Sequence, residues 1–140
     1  MIKINCENLI MGRVATYVAK EALKGETIEL YNCSKIVILG EKSVIVAHYK
    51  RLRNLLMSPT KGPYIHTSPL MIMKRCIKRM VPFKQERGKL ALKRIKCYNM
   101  APESKENLVS LEKAYFNGNS RFITLEELSK GLRWLFLTII

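Results

Sequence analysis

The sequence predicts a single α/β domain, in which a small, largely parallel sheet is flanked by helices and followed by a short C-terminal appendage. Three observations predict this fold class. The length of 140 residues is that of one ordinary domain. Strand-like and helix-like segments alternate from the N-terminus, an order that favours parallel pairing of the strands. The sequence also contains no internal repeat that would indicate a repeat architecture.

The first elements follow from hydrophobic periodicity. Residues 2–5 alternate as a short strand does, and residues 27–32 place Ile28 and Leu30 on one face of a second strand. Between them, residues 12–24 carry apolar side chains at helical spacing, and Gly25 is suited to end that helix in the left-handed conformation. The apolar run 35–39 predicts a third strand, which we expect to be covered on both sides.

The middle of the chain is predicted to be mostly helical. Apolar residues at positions 45, 49, 52 and 56 predict a helix over 41–57, and the Pro- and Gly-containing stretch 58–64 predicts a loop. Ser68 and Pro69 are typical of a helix start, and the next helix should run to residue 80 with a buried stripe formed by Leu70, Met73, Ile77 and Met80.

Two more helices complete the prediction. Residues 85–95 form the first, with Gly88 inside it, and a strand over 96–99 follows. Thr124 and Glu127 have the capping-box spacing, so a last helix begins there and continues towards Leu135. We divide the chain into a core over 1–102 and a neutral appendage over 103–140 that ends in an apolar tail.

Charge is concentrated in one block. The chain has 25 Lys and Arg against 11 acids, and every acid is Glu. Residues 41–100 hold fifteen of the bases and only two of the acids, whereas the segments before and after this block are close to neutral. Such a block repels itself unless a polyanion neutralises it, and phosphates do so with a gain of counterion entropy. The composition therefore indicates nucleic acid as the partner.

Enzymatic and metal-binding patterns are weak or missing. The absence of Asp removes an Asp-assisted Ser-His triad and a Walker-B-type magnesium ligand. The turn Gly40-Glu41-Lys42-Ser43 does not match a phosphate-binding loop, and the four Cys have no C-x-x-C spacing. His66 has no acid nearby in the sequence, so stacking on a nucleotide is a better reading than general-base catalysis. We expect no catalytic residue, metal or cofactor.

Five matching segments, in this order and spacing, resemble one known family. The first two are Met11-Gly12-Arg13-Val14-Ala15 with Val18-Ala19-Lys20, and Cys33 with Ile36-Val37-Ile38-Leu39-Gly40. They are followed by Lys61-Gly62-Pro63-Tyr64, by Pro69 and Arg75 with Arg79-Met80-Val81-Pro82-Phe83-Lys84, and by Arg87-Gly88-Lys89 with Ala91-Leu92-Lys93-Arg94-Ile95-Lys96. They resemble the universal large-subunit ribosomal proteins of the L-thirteen family, in the eukaryotic and archaeal form. Arg79 stands where that family usually has Gly, and the long basic C-terminal helix of eukaryotic members has no counterpart.

The resemblance implies a structural constituent of the large ribosomal subunit that binds rRNA and neighbouring ribosomal proteins and catalyses nothing. A free RNA-binding translational regulator is the alternative. The implied setting is the cytoplasmic ribosome, with nucleolar assembly in a eukaryote, and we expect neither membrane association nor a homo-oligomer. From the basic faces, the loop and the matching segments, the candidate rRNA-binding residues are Arg13, Lys50, Arg51, Arg53, Lys61, Gly62, Tyr64, His66, Lys74, Arg75, Lys78, Arg79, Lys84, Arg87, Lys89 and Lys93.

Overall fold

The structure, a computed structural model, describes residues 1–55, 64–102 and 108–133. The strands in these ranges are β1 (Ile2–Asn5), β2 (Ile28–Tyr31), β3 (Val37–Leu39), β4 (Ile95–Cys97) and β5 (Phe122–Thr124). The helices are α1 (Met11–Lys24), α2 (Lys42–Asn54), α3 (Pro69–Met80), α4 (Glu86–Lys93) and α5 (Leu125–Arg133).

A parallel sheet of three strands in the order β1-β2-β4 forms the centre of the fold. Ile2 aligns with Ile28, and Ile28 aligns with Ile95 on the other side. Ile28 and Leu30 are fully buried, as the alternation of β2 predicts. The predicted α/β class with a small, largely parallel sheet is confirmed.

Strand β3 does not belong to this sheet. It pairs antiparallel with β5, so that Val37 aligns with Thr124 and Leu39 with Phe122. The expectation that residues 35–39 are covered on both sides is wrong at the end of the strand, where Leu39 is 43% exposed. In the described residues, this two-stranded ladder stands apart from the parallel sheet, and its outer end therefore has less cover.

Helix α1 has the predicted buried stripe. Val14, Val18 and Ala22 are fully buried, and α1 packs against α3 and α4. Gly25 ends the helix with φ of 109°, a left-handed conformation that glycine adopts without steric cost, and its N–H donates to the carbonyl oxygens of Ala22 and Glu21.

Helix α2 is less buried than the other helices. It ends at Asn54 within the described residues, and none of its side chains is fully buried. Ile45, Tyr49 and Leu52 are half-buried, in agreement with the predicted apolar face. The predicted residue 56 of this face and the loop residues 58–63 lie outside the described residues.

Helix α3 begins at Pro69 as predicted, and Met73 and Ile77 are fully buried. The predicted burial of Met80 is wrong. Met80 is 43% exposed because it lies at the last turn, where its sulfur faces Thr16 of α1 (Oγ1 to Sδ 3.6 Å). Ile72, which is not part of the predicted stripe, is buried as well.

The helix predicted over 85–95 ends at Lys93, and Ile95 instead begins β4. The reason is strand pairing: the N–H of Ile28 donates to the carbonyl oxygen of Arg94 at 3.0 Å, so the sheet ladder takes over there.

The C-terminal segment contributes to the same hydrophobic core as the parallel sheet. Leu125, Leu128 and Leu132 are fully buried, and the N–H of Glu127 donates to Thr124 Oγ1 at 3.3 Å, as the capping pattern predicts. The boundary between a core and an appendage at residue 102 stays a prediction. The apolar tail over 134–140 lies outside the described residues.

Candidate nucleic-acid interface

Helix α3 presents cations because its other face is buried. Met73 and Ile77 pack into the core, and this orients Lys74 and Lys78 towards solvent. Arg79 is exposed, and Arg75 is half-buried at the edge of the same face. The helical periodicity thus converts a buried apolar stripe into a row of positive charges on the opposite side.

Helix α4, the next element after α3, also carries exposed cations. Lys84 in the preceding turn and Arg87, Lys89 and Lys93 on the helix are all exposed. Gly88 is buried, and a Cβ placed on it would lie 2.1 Å from the carbonyl oxygen of Pro82. Only glycine allows α4 to approach the turn this closely.

A cation–π contact links the end of α3 to the same turn. Lys78 Nζ lies 5.0 Å from the centre of the Phe83 ring. The two helices and the turn therefore carry one set of positive charges. We name this set the α3–α4 basic surface, which consists of Lys74, Arg75, Lys78, Arg79, Lys84, Arg87, Lys89 and Lys93.

The α3–α4 basic surface is not neutralised by the described carboxylates. None of its eight cations forms an ion pair with a carboxylate in the described ranges. Among the bases of the block 41–100, the ion pairs there involve Lys42 with Glu127 at 2.9 Å and Lys96 with Glu29 at 4.0 Å. Seven of the nine described glutamates pair with cations outside this surface, which leaves the α3–α4 basic surface available to an external anion.

Two aromatic candidates lie beside this surface. Tyr64 and His66 contact each other edge to face, with ring centres 4.9 Å apart, and they line a cavity together with Lys74, Arg75 and Lys78. The structure thus brings five of the sequence-predicted residues to one place.

The candidates on α2 are arranged differently. Arg51 is exposed and Lys50 is half-buried. Arg53 Nη1 donates to the carbonyl oxygen of Leu132 at 2.9 Å, near the end of α5. This contact links α2 to α5, so Arg53 has a structural role that its place in a basic run did not indicate.

Arg13 lies on α1 and belongs to a second group of cations. Its Nη1 donates to the carbonyl oxygen of Lys113 at 2.8 Å, across 100 residues of sequence. Lys20, Lys113 and Tyr17 line the same open groove, which has a volume of about 820 Å³. Lys20 and Lys113 are not among the sequence-predicted candidates, because each lies in a segment whose charge is close to neutral. The remaining candidates, Lys61 and Gly62, lie outside the described residues.

Three thiols meet at the carboxyl ends of the parallel strands. Hydrogen bonding with Cys6, together with burial, raises the pKa of Cys33 to about 12. Hydrogen bonding with Cys33 and burial raise the pKa of Cys97. The raised pKa keeps the thiols of Cys33 and Cys97 protonated and poorly nucleophilic. Among the described residues, no group of three or more His, Cys, Asp or Glu side chains is placed to hold a metal ion.

Two further pKa shifts in the described ranges come from contacts within the fold. A hydrogen bond from Lys130 lowers the pKa of Glu126, and burial raises the pKa of Tyr49. No helix within these ranges has the length and apolar character needed to cross a membrane.

The fold and the α3–α4 basic surface define a class of protein, namely small, basic α/β proteins. In this one, two consecutive helices and the turn between them carry eight cations that form no ion pair with a described carboxylate. Comparison with known proteins gives the family. The sequence profile of the family described as "Ribosomal protein L13" matches residues 1–104. The chain belongs to this family, and the resemblance seen in the sequence is confirmed.

Relatives from archaea match nearly the whole chain, and each carries the name "Large ribosomal subunit protein uL13". The protein of Picrophilus torridus is 43% identical over 134 residues, which cover 94% of this chain and 96% of the relative. The protein of Thermoplasma volcanium is 40% identical over 92% of this chain and 96% of the relative. The protein of Methanocaldococcus jannaschii is 38% identical over 94% of this chain and 97% of the relative.

Proposed function

We propose that the protein is a structural constituent of the large ribosomal subunit, which binds and stabilises folded rRNA during assembly and translation and catalyses no reaction. The observation that carries the proposal is the α3–α4 basic surface, whose eight cations have no ion-pair partner among the described carboxylates. Membership of the ribosomal protein L13 family supports the same function. Neighbouring proteins of the subunit are its other partners.

The mode of binding is recognition of the RNA backbone and shape. Lys and Arg side chains spread over two helices and a turn can contact phosphates of more than one RNA segment, and such contacts supply most of the affinity. We expect further contacts with the RNA, outside the α3–α4 basic surface, from Arg13, Lys50, Arg51, Lys61 and Gly62. Arg53 is a further candidate on α2, and its guanidinium also donates to the carbonyl oxygen of Leu132.

The salt dependence of binding tests this mode. We expect the logarithm of the affinity for deproteinised large-subunit rRNA to fall with the logarithm of the salt concentration. About eight phosphate contacts, at 0.7 to 0.9 per contact, give a slope of about −6 to −7. A slope shallower than about −2 would contradict phosphate binding by the basic block.

Copy number separates a ribosomal constituent from a free RNA-binding regulator. Sucrose-gradient fractionation of a lysate followed by quantitative mass spectrometry should find the protein with large subunits, at one copy per particle. Recovery mainly in the ribosome-free fractions would favour the regulator. We place the protein on cytoplasmic ribosomes as a monomer within the subunit, with nucleolar assembly only in a eukaryotic source.

A further inference from the structure

The cavity beside α3 has a floor and walls of different chemistry. It has a volume of about 350 Å³, near the lower end of the range of roughly 300–1,000 Å³ that is usual for small-molecule sites. Its apolar lining consists of Met71 of α3, which is 41% exposed, and the half-buried Leu92 of α4, together with the buried Ile72, Ile77 and Ile95. These side chains form an apolar floor suited to a flat, weakly polar group.

One wall of this cavity is aromatic. Tyr64 and His66 meet at an interplanar angle of 77°, with their ring centres 4.9 Å apart. Tyr64 is 61% exposed although it adjoins an apolar floor. An exposed aromatic ring beside such a floor is the arrangement on which unpaired nucleic-acid bases stack.

The rim of the cavity is positively charged. Lys74, Arg75 and Lys78 line it, and none of the ten described residues around it is acidic. None of these three cations forms an ion pair with a described carboxylate. Phosphates on either side of an inserted base would therefore meet cations, whereas an acidic peptide would satisfy the rim and leave the aromatic wall unused.

We propose that this cavity holds one unpaired nucleotide of the rRNA, whose base stacks on the face of Tyr64 and meets the His66 ring at its edge, while its flanking phosphates contact Lys74, Arg75 and Lys78. This inference rests on the proposed rRNA-binding function and adds to it a specific subsite. The nucleotide must be unpaired, since a base inside a duplex cannot leave its stack to reach an apolar floor without being extruded.

Three variants of the full chain test the subsite by their affinity for deproteinised large-subunit rRNA. Tyr64→Leu removes the aromatic face and should weaken binding about 5- to 150-fold, the range measured for loss of one stacked base. It should leave the salt slope unchanged, because stacking releases no counterion. Tyr64→Phe keeps the ring and should bind nearly as tightly as the unmodified chain. Tyr115→Leu is the matched control, since Tyr115 is 54% exposed and does not line the cavity.

Ultraviolet crosslinking of the unmodified chain to the same rRNA, followed by mass spectrometry, gives a readout that does not depend on any variant. We expect a nucleotide adduct on Tyr64 or His66. Equal affinity of Tyr64→Leu and the unmodified chain, with no adduct at either ring, would overturn the subsite while rRNA binding stands.

Two other outcomes would also overturn the subsite. If Tyr64→Leu binds rRNA normally but fails to enter large subunits, the cavity takes a neighbouring protein instead of a base. If the unmodified chain itself does not bind rRNA, the proposed function fails together with the subsite.

Discussion

Replacement of Gly88 by alanine should destabilise the protein, although alanine is the better helix former. In an open helix this change gains about 1 kcal/mol. Here the added Cβ would lie 2.1 Å from the carbonyl oxygen and 2.5 Å from the carbonyl carbon of Pro82. The obstacle is backbone, and that same oxygen already accepts a hydrogen bond from the N–H of Gln85 at 3.0 Å.

The magnitude follows from these opposing effects. Overpacking costs about 1–3 kcal/mol, and an obstacle made of hydrogen-bonded backbone places this site at the upper end. Subtracting the helix-propensity gain of about 1 kcal/mol leaves a net loss of about 2 kcal/mol. For a chain of this length, that loss lowers the melting temperature by about 6–8 °C. Thermal unfolding followed by circular dichroism at 222 nm measures it.

Gly131→Ala is the matched control. Gly131 also lies inside a helix, but its added Cβ would lie 3.8 Å from the nearest atom of Val46, an ordinary contact. This variant should be as stable as the unmodified chain or more stable, by up to about 1 kcal/mol. If Gly88→Ala melts at or above the temperature of the unmodified chain, the close approach of α4 to the Pro82 turn is refuted.

Three further predictions concern α3 and the thiols. Lys74→Ala combined with Lys78→Ala should weaken rRNA binding and leave the melting temperature nearly unchanged. Ile77→Ala should instead lower the free energy of unfolding by about 2–4 kcal/mol, because it leaves a cavity in the core. Similar effects of the two changes on the melting temperature would contradict the assigned faces of α3. Iodoacetamide at pH 8 should modify the half-buried Cys76 before Cys33, as peptide mass spectrometry would reveal, and the reverse order would be inconsistent with the buried thiol cluster. Since the folded-state pKa of Cys33 is about 12 against an ordinary value of 9.0, its contribution to stability is present below pH 9 and is lost as the pH rises towards 12. Urea unfolding at pH 8 and pH 10.5 measures that loss, which Cys33→Ala should reduce.

Local patterns were sufficient for most helices and for the parallel sheet. The helical spacing of Val14, Val18 and Ala22 predicts which face of α1 is buried, because a helix repeats every 3.6 residues whatever it packs against. Pro69 and Gly25 indicate helix ends through their own backbone preferences. The charge of the block 41–100 is also a property of sequence, and it indicates a polyanionic partner without any knowledge of the fold.

The tertiary structure decided what depends on residues far apart in the chain. The pairing of β3 with β5 joins segments that no local pattern connects, and Leu39 at the end of this ladder is exposed. The hydrogen bond from Arg53 to α5 likewise depends on a carbonyl group far away in the chain. In the sequence, Gly88 is only a weak point in a helix.

Some features of the candidate site likewise follow from the sequence, and others depend on the tertiary structure. The sequence by itself determined the cations of α3 and α4, because they lie opposite apolar stripes of helical period. Only the tertiary structure brought Tyr64 and His66 to the same cavity as Lys74 and Lys78, since that cavity is completed by Leu92 and Ile95, which lie much further along the chain. Periodicity predicts which side of a helix or strand is buried. Which element packs against that side depends on the shape complementarity of whole surfaces, and these surfaces exist only in the folded chain.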